Sequence, residues 1–286
     1  MAEDLDGRLR RLRTSGAAEE LIELGCDLAD AGRRREAERC FRAAAELGDA
    51  LGFYNLGTAL AARGRAAEAV DAYERALAGG ETEAWLSLGL ALEELGDLPA
   101  AADAYRGAAA AGDPQGALQL AFLLREQGQA GPATQVLEGL AAGGHEMAAA
   151  VLACWRWCST FDPALESALR AGAHLLPAAR ADLADLLRET DRLAEARSVL
   201  ERGAKLGEQE SWLPLGNLYA DDLGDVESAE EAYRSGIAAG DTYCHHNLGV
   251  LLAGRGDLDG AVEQFRLGAA VGDELAAQAL RALGDG

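Results

Sequence analysis

Apolar residues recur along the chain with a period of about 32 residues. A leucine followed by glycine or alanine marks each period, and these marker leucines are Leu24, Leu56, Leu88, Leu120, Leu152, Leu183, Leu215 and Leu248. A small residue follows most markers after about thirteen positions and a large residue after about seventeen, as Ala101 and Tyr105 follow Leu88. Because apolar residues three or four positions apart share one face of a helix, each period predicts two amphipathic helices.

Glycine ends both predicted helices of a period. One glycine lies about eight residues after the marker, as Gly96 does, and another about twenty-four residues after it, as Gly112 does. Glycine supplies the left-handed turn that often ends a helix. An acidic residue usually follows the second glycine and favours the start of the next helix. We therefore expect each period to fold as a helical hairpin, with a first helix A and a second helix B, and the hairpins to stack.

The period also predicts how the whole chain is organised. We expect an all-α solenoid of about eight hairpins that forms a single helical-repeat domain, 1–286, with a lone capping helix at each end. The predicted segments are an N-terminal cap at 3–16, eight repeats at 17–272 and a C-terminal cap at 273–286.

The fifth repeat, 146–175, departs from the pattern. Thr160 and Leu165 replace the expected glycine and alanine, and the repeat contains Pro163. One interpretation is a repeat that has drifted and bends the superhelix. The alternative is a specialised site built from Trp155, Arg156 and Trp157.

The residue types at these positions resemble the tetratricopeptide repeat and its Sel1-like relative. The segment AWLSLGLALEELGDLPAAADAYRGAAAAGD carries the resemblance through Trp85, Leu88, Gly89, Ala101, Tyr105 and Ala108, and a later repeat carries it through Trp212, Leu215, Gly216, Ala229 and Tyr233. The resemblance implies a right-handed superhelix in which A helices line a concave groove and B helices form the convex back. It also implies protein or peptide binding, with partners that vary widely among relatives.

The same resemblance assigns groove positions around each marker leucine. They supply the predicted partner-binding residues Tyr54, Asn55, Thr58, Glu83, Glu93, Glu94, Phe122, Arg125, Glu126, Trp157, Asp185, Arg188, Glu189, Asn217, Tyr243, His246 and Asn247. Further acids at these positions are Glu19, Glu23, Asp30, Asp182, Glu210 and Asp221. Aromatic residues three before the marker, together with one histidine, are expected at the seam between neighbouring A helices: Phe53, Trp85, Trp212 and His245.

The net charge of the chain restricts the class of partner that it is expected to bind. The chain has 48 acidic and 26 basic residues and a formal net charge of -22, which disfavours nucleic acid or an anionic membrane as the main partner. We expect the acidic groove to bind a protein or peptide with a basic segment. A solvated acidic surface is the alternative. The N-terminal cap carries Arg8, Arg10, Arg11 and Arg13, for which the open interpretations are a solvated outer face, pairing with the acidic groove of another copy, or contact with nucleic acid or a membrane.

The sequence shows no arrangement typical of catalysis. His145 and His174 have no nucleophile or carboxylate at a suggestive spacing. Cys244, His245 and His246 are consecutive on a predicted helix and point about 100° apart, so they cannot readily bind one metal ion. Cys154 and Cys158 supply at most half of a zinc site, so no metal or cofactor is expected. The predicted function is a non-catalytic scaffold, and the alternative is a regulatory sensor that binds a small ligand near the divergent fifth repeat.

The predicted compartment is the cytoplasm of a bacterium. The N-terminus has no apolar stretch of signal-peptide length. Five cysteines are an odd number without disulfide-scaffold spacing, as expected for reduced thiols.

Overall fold

The computed structural model describes residues 5–284, which contain helices and no strand. The α-helices are α1 (Leu5–Ser15), α2 (Ala18–Asp30), α3 (Arg34–Glu46), α4 (Ala50–Ala61), α5 (Ala66–Ala78), α6 (Ala84–Glu94), α7 (Leu98–Ala110), α8 (Pro114–Glu126), α9 (Ala130–Ala142), α10 (Glu146–Thr160), α11 (Glu166–Gly172), α12 (Pro177–Glu189), α13 (Leu193–Lys205), α14 (Trp212–Asn217), α15 (Val226–Ala238), α16 (Cys244–Gly254), α17 (Leu258–Ala270) and α18 (Glu274–Gly284). The predicted all-helical fold is confirmed. Residues 3–4 and 285–286 of the predicted caps lie outside the described residues.

The chain forms two compact units, with the first ending at residue 140 and the second beginning at residue 141. In the first unit, the A helices α2, α4, α6 and α8 contact one another in succession. In the second unit, α10, α12, α14, α16 and the last helix α18 do the same. Each unit therefore contains a layer of A helices. The single domain, the number of repeats and the capping role of the terminal helices stay predictions.

A close steric fit joins the two helices of five hairpins. The glycine after the marker leucine lies beneath an aromatic ring of the B helix in the pairs Gly25–Phe41, Gly57–Tyr73, Gly89–Tyr105, Gly216–Tyr233 and Gly249–Phe265. A Cβ on any of these glycines would lie less than 3.0 Å from a ring carbon, which is closer than side chains tolerate. Glycine is therefore required there by the close approach of the ring.

In the other three repeats, alanine replaces the glycine and leucine replaces the aromatic residue. They carry Ala121 with Leu137, Ala153 with Leu169, and Ala184 with Leu200, and all six side chains are buried. An added methyl on the A helix thus accompanies a smaller side chain on the B helix. Cores tolerate such substitutions best when the total volume is kept.

Acidic residues begin several helices, as expected. Asp49 accepts a hydrogen bond from the backbone N–H of Gly52 at 2.8 Å, and Asp113 accepts one from Gln115 at 2.8 Å. These carboxylates satisfy N–H groups that have no partner within their own helix.

Three of the four residues expected at the seam between A helices contact the B helix of their own hairpin. The ring of Trp85 lies against Gly107 of α7, and Trp212 lies against Gly236 of α15. His245 Nδ1 is 2.8 Å from Gln264 Oε1 of α17. Contact between these residues and the neighbouring A helix stays a prediction.

The fifth repeat has a lengthened A helix and a shortened B helix. Helix α10 continues through Thr160, and Phe161 takes the left-handed conformation at φ 49° in place of a glycine. This conformation strains a bulky residue. The ring of Phe161 meets that of Trp157 edge-on, with centroids 5.4 Å apart. A 3₁₀ turn, Pro163–Leu165, then leads into the seven residues of α11.

The seventh repeat contains one additional residue, which the structure absorbs as a π-helical turn at Leu218–Asp222. The turn directly follows the short helix α14 and leads into the left-handed Gly224, at φ 64°. Such turns mark single-residue insertions in α-helices and occur often at functional sites. No helix within residues 5–284 is both long and apolar enough to cross a membrane.

The fit of ring to glycine predicts a strong coupling between Gly25 and Phe41. Gly25→Ala should destabilise the protein by roughly 1–2 kcal/mol, because overpacking outweighs the gain in helix propensity. Phe41→Leu, which copies the pairing of the middle repeats, should restore most of that loss in the double variant. Urea unfolding followed by circular dichroism gives the coupling free energy of the cycle, expected at about 1–3 kcal/mol.

The control is Gly139→Ala on α9, where an added Cβ meets no atom within 4 Å. It should stabilise the protein by up to about 1 kcal/mol through helix propensity alone. Additive effects of Gly25→Ala and Phe41→Leu would show that the ring does not exclude the methyl group.

Candidate functional site

The predicted groove residues lie on the layer of A helices in each unit, here called the A-helix face. In the first unit, the exposed members are Thr58, Glu83, Glu93, Glu94, Phe122, Arg125 and Glu126, and the half-buried ones are Tyr54 and Asn55. In the second unit, the exposed members are Glu189 and Tyr243, and the half-buried ones are Asp185, Arg188, Asn217, His246 and Asn247. These residues form one set in each unit, and their contact with a partner stays a prediction.

Trp157 differs from the rest of the predicted set because it is buried. Its residue is 2% exposed, and its indole N–H donates to Asp185 Oδ2 at 3.2 Å. One turn earlier Cys154 is also buried and hydrogen-bonds Asp182. Burial raises the pKa of the Asp182 carboxyl. Trp157 thus packs α10 against α12 and is part of the core.

Basic residues are scarce on the A-helix face. Of the 26 basic residues, the A helices within residues 5–284 carry Arg125, Arg156, Arg180, Arg188 and Arg281. Arg180 is buried and binds Glu208 and the carbonyl of Ala173. Arg188 Nε donates to Asp222 Oδ2 at 2.7 Å. At least two of these five charges are therefore neutralised within the protein.

Acidic residues on this face lack such neutralisation. Within residues 5–284, Glu83, Glu94 and Glu126 form no ion pair, and all three are exposed. Glu19, Glu23 and Asp30 of α2 are likewise exposed and form no ion pair in the described part of the chain. The A-helix face of the first unit therefore carries an uncompensated negative charge.

The B helices use arginine differently. Three glutamates there each bind one arginine four residues later and another from the next hairpin: Glu38 with Arg42 and Arg65, Glu166 with Arg170 and Arg192, and Glu230 with Arg234 and Arg255. These N···O distances run from 2.5 to 3.0 Å. The pairs link successive hairpins through their B helices and turns.

Glu38 is the most buried of these glutamates, and Arg63 also binds it. Burial by itself would raise the pKa of its carboxyl, but hydrogen bonds and charge from Arg42 and Arg63 outweigh that effect. The pKa of Glu38 therefore lies below its usual value.

Two B-helix tyrosines hydrogen-bond, through their hydroxyl groups, to polar residues of the A-helix face. The hydroxyl of Tyr105 donates to Glu93 Oε2 at 2.6 Å, and that of Tyr233 donates to Asn217 Oδ1 at 2.8 Å. Burial, together with the accepting carboxylate of Glu93, raises the pKa of Tyr105 and keeps it a donor. These tyrosines were not among the predicted site residues. The sequence signal that could have identified them is a tyrosine at the large position of the B helix, together with a polar residue such as Glu93 or Asn217 shortly after the marker leucine of the A helix.

A row of surface positions crosses the first unit at the second residue after each marker, and on α6 and α8 it carries large exposed apolar side chains. This position is occupied by Cys26, Thr58, Leu90 and Phe122 on successive A helices. Leu90 is 48% exposed and Phe122 is 41% exposed. The acids described above flank this row, so apolar and acidic surfaces lie side by side.

In the second unit, a hydrogen bond between Asn217 and Asn247 links the neighbouring A helices α14 and α16. Asn247 Nδ2 donates to Asn217 Oδ1 at 2.7 Å, beside the bond from Tyr233. Burial and the charge of Asp221 raise the pKa of Tyr233 to about 12.

Within the described residues, no three His, Cys, Asp or Glu side chains converge as metal ligands.

Comparison with known proteins supports the resemblance drawn from the sequence. A tetratricopeptide repeat family model matches residues 22–83 and 54–117. A search of curated proteins gave no match. Solved structures with the same fold include a protective antigen of uropathogenic Escherichia coli that displays an SLR fold, with 22% identity, a TM-score of 0.52 and coverage of 97% of this chain and 74% of that one.

Two further solved structures are similar over most of the chain. One is a tetratricopeptide repeat protein from Parabacteroides merdae, with 19% identity, a TM-score of 0.54 and coverage of 85% of this chain and 98% of that one. The other is a Sel1 repeat protein from Oxalobacter formigenes, with 20% identity, a TM-score of 0.50 and coverage of 90% and 99%. At these identities the likeness establishes the fold.

The lowered pKa of Glu38 predicts a pH-dependent contribution to stability. Glu38→Gln should lower the free energy of unfolding by about 1–3 kcal/mol at pH 7, because buried hydrogen bonds to charged groups are lost. A carboxyl whose pKa is lowered by folding stabilises the protein above its unfolded pKa and loses this effect as the pH falls. The difference between variant and parent should therefore shrink as the pH drops below 4.5, the ordinary pKa.

Urea unfolding at a series of pH values measures this difference. Asp103→Asn is the control, because Asp103 pairs with Arg106 on an exposed surface. It should change stability by less than about 0.5 kcal/mol at any pH. A Glu38→Gln effect that stays constant down to pH 3 would contradict a charge-based role.

Proposed function

We propose that this chain, a helical-repeat protein of the tetratricopeptide and Sel1-like kind, is a non-catalytic scaffold that binds a basic protein segment on its A-helix face. Proteins with these repeats generally mediate protein–protein interaction. The single observation that carries the finer proposal is the uncompensated acidic charge beside an exposed apolar row in the first unit. We also propose that it acts in the bacterial cytoplasm, in keeping with its odd number of cysteines.

Charge supports a basic partner over an acidic or neutral one. Glu83, Glu94 and Glu126 are exposed and form no ion pair within residues 5–284, so a Lys or Arg side chain can approach them without displacing an internal partner. Such complementary charge speeds encounter and suppresses wrong partners more than it adds affinity. Affinity then depends on apolar contacts at the same surface.

The apolar row supplies those contacts and implies a spacing in the partner. Helices that pack together have axes about 8–10 Å apart, so Leu90 and Phe122 on successive A helices are offset by about that distance. An extended chain rises about 3.3 Å per residue. A bound extended segment would therefore place one apolar residue every third position, with Lys or Arg between, to meet both the row and its acidic flanks.

Panning a library of random twelve-residue peptides against the whole protein at low salt tests this partner class. The enriched peptides should be rich in Lys and Arg and should carry apolar residues at every third position. Enrichment of neutral or acidic peptides would contradict the proposal.

A charge-reversal pair then locates the binding surface. Fluorescence anisotropy with an enriched peptide should show that Glu83→Lys with Glu94→Lys weakens binding at least about tenfold at low salt, since rim charges govern encounter. These positions leave the hydrogen bond of Tyr105 to Glu93 intact. Added salt should shrink the difference through screening.

The matched control reverses two exposed acids of the B helix α5, Asp71→Lys with Glu74→Lys. Both form no ion pair within the described chain, and the net charge changes by the same amount. Binding should change less than about threefold, because these charges lie off the A-helix face. Equal effects of the two pairs would mean that bulk charge, and not this surface, attracts the peptide.

A further inference from the structure

A cleft of about 240 Å³ opens on the A-helix face of the second unit, between α14 with its π-helical turn and α16. Its lining includes Asn217, Asp221, Tyr233, Asn247, Val250 and Leu251. The cleft combines a carboxylate, a fixed pair of amides, the imidazole of His246 and two aliphatic walls, and each part restricts the ligand that fits.

The amide pair has a defined orientation. Asn217 Oδ1 accepts hydrogen bonds from both the Tyr233 hydroxyl, at 2.8 Å, and Asn247 Nδ2, at 2.7 Å. Because Asn247 uses its Nδ2 in this contact, its Oδ1 is left as an acceptor. No donor within the described residues binds that oxygen. The cleft therefore presents a neutral acceptor held in place by the amide of the neighbouring helix.

The π-helical turn gives two consecutive aspartates different partners. Asp222 forms an ion pair with Arg188 at 2.7 Å. Asp221 lines the cleft and, within residues 5–284, forms no ion pair. After burial, its negative charge is the main cause that raises the pKa of Tyr233, so its field reaches the Tyr233 hydroxyl in the cleft. The cleft thus holds one uncompensated carboxylate beside a neutral acceptor.

The walls suit an aliphatic stem. Val250 is 52% exposed and Leu251 is half-buried, and both lie on the α16 side of the cleft. Lys and Arg side chains combine a stem of methylene groups with a cationic, donor-only head. An anionic ligand would be repelled by Asp221, and a neutral one would leave that carboxylate uncompensated.

We propose that this cleft is a specificity pocket that takes one Lys or Arg side chain of a basic protein segment. The cationic head lies between Asp221 and Asn247 Oδ1, and the methylene groups lie against Val250 and Leu251. This inference rests on the proposed function and adds a fixed anchoring position to it.

The direct test uses N-acetyl-arginine amide as the probe and the whole protein labelled with ¹⁵N. Titration followed by NMR should shift the side-chain amide resonances of Asn217 and Asn247, with a dissociation constant in the millimolar range expected of so small a ligand. N-acetyl-citrulline amide, which has nearly the same shape without the charge, should bind at least about fivefold more weakly. Equal binding of the two compounds would overturn the proposal.

The decisive variant is Asp221→Asn, which removes the charge from an exposed residue of the cleft. It should weaken binding of the arginine probe at least about fivefold and abolish the preference over citrulline. Asp259→Asn on the B helix α17 is the matched control. It should leave both the affinity for the arginine probe and the preference over citrulline unchanged. Thermal unfolding by circular dichroism verifies that each variant is folded.

The outcomes separate this pocket from the proposed function. If basic peptides bind the protein and lose affinity on reversal of Glu83 and Glu94, but Asp221→Asn changes neither probe nor peptide binding, the pocket alone is wrong. If no basic peptide binds at all, the proposed function fails, and the NMR titration still decides whether the cleft recognises a cation.

Discussion

The distance between the two helices of a hairpin depends on an aromatic ring that lies over a glycine. Glycine within a helix costs about 1 kcal/mol relative to alanine, so its presence needs a compensating contact. In the pair Gly89–Tyr105 the ring occupies the volume that a Cβ would fill. A buried ring removes about 150–250 Å² from water, which outweighs the cost of the glycine. Where the ring is absent, as in Ala184 with Leu200, the glycine is absent too.

This packing also arranges the surface. A ring that lies flat over the A helix points its para position toward the A-helix face, so a tyrosine there carries a hydroxyl to that face. Tyr105 thereby holds Glu93, and Tyr233 holds Asn217, while Phe41 has no hydroxyl to contribute. The choice between tyrosine and phenylalanine at a core position therefore decides which polar groups of the face are fixed before any partner binds.

The period of the sequence was enough to predict the all-helical fold and the sides of the helices, since burial follows apolar spacing. It was not enough to place individual side chains. Trp157 was expected on the face and is buried, with its indole N–H bonded to Asp185 of the neighbouring A helix. Spacing likewise fixed the side of the helix for Trp85 but did not predict its contact with Gly107 of the B helix. The extra residue before Gly224 was visible, but its π-helical turn was not.

Most of the ion-paired arginines lie on the B helices and turns, whereas acids that form no ion pair within residues 5–284 lie on the A-helix face, so the residues that stabilise the fold also leave charge available for the proposed binding. Arginines on the B helices and turns form ion pairs between successive hairpins, as Arg65 does with Glu38 and Arg255 with Glu230. An arginine held in such a pair cannot also neutralise an acid on the A-helix face. The ion pairs that link the hairpins thus leave the acids of that face to solvent or to a partner. The same logic acts locally at the π-helical turn, where Arg188 is committed to Asp222 and Asp221 is not neutralised. In the proposed complex, a cation of the partner completes the charge balance of the face.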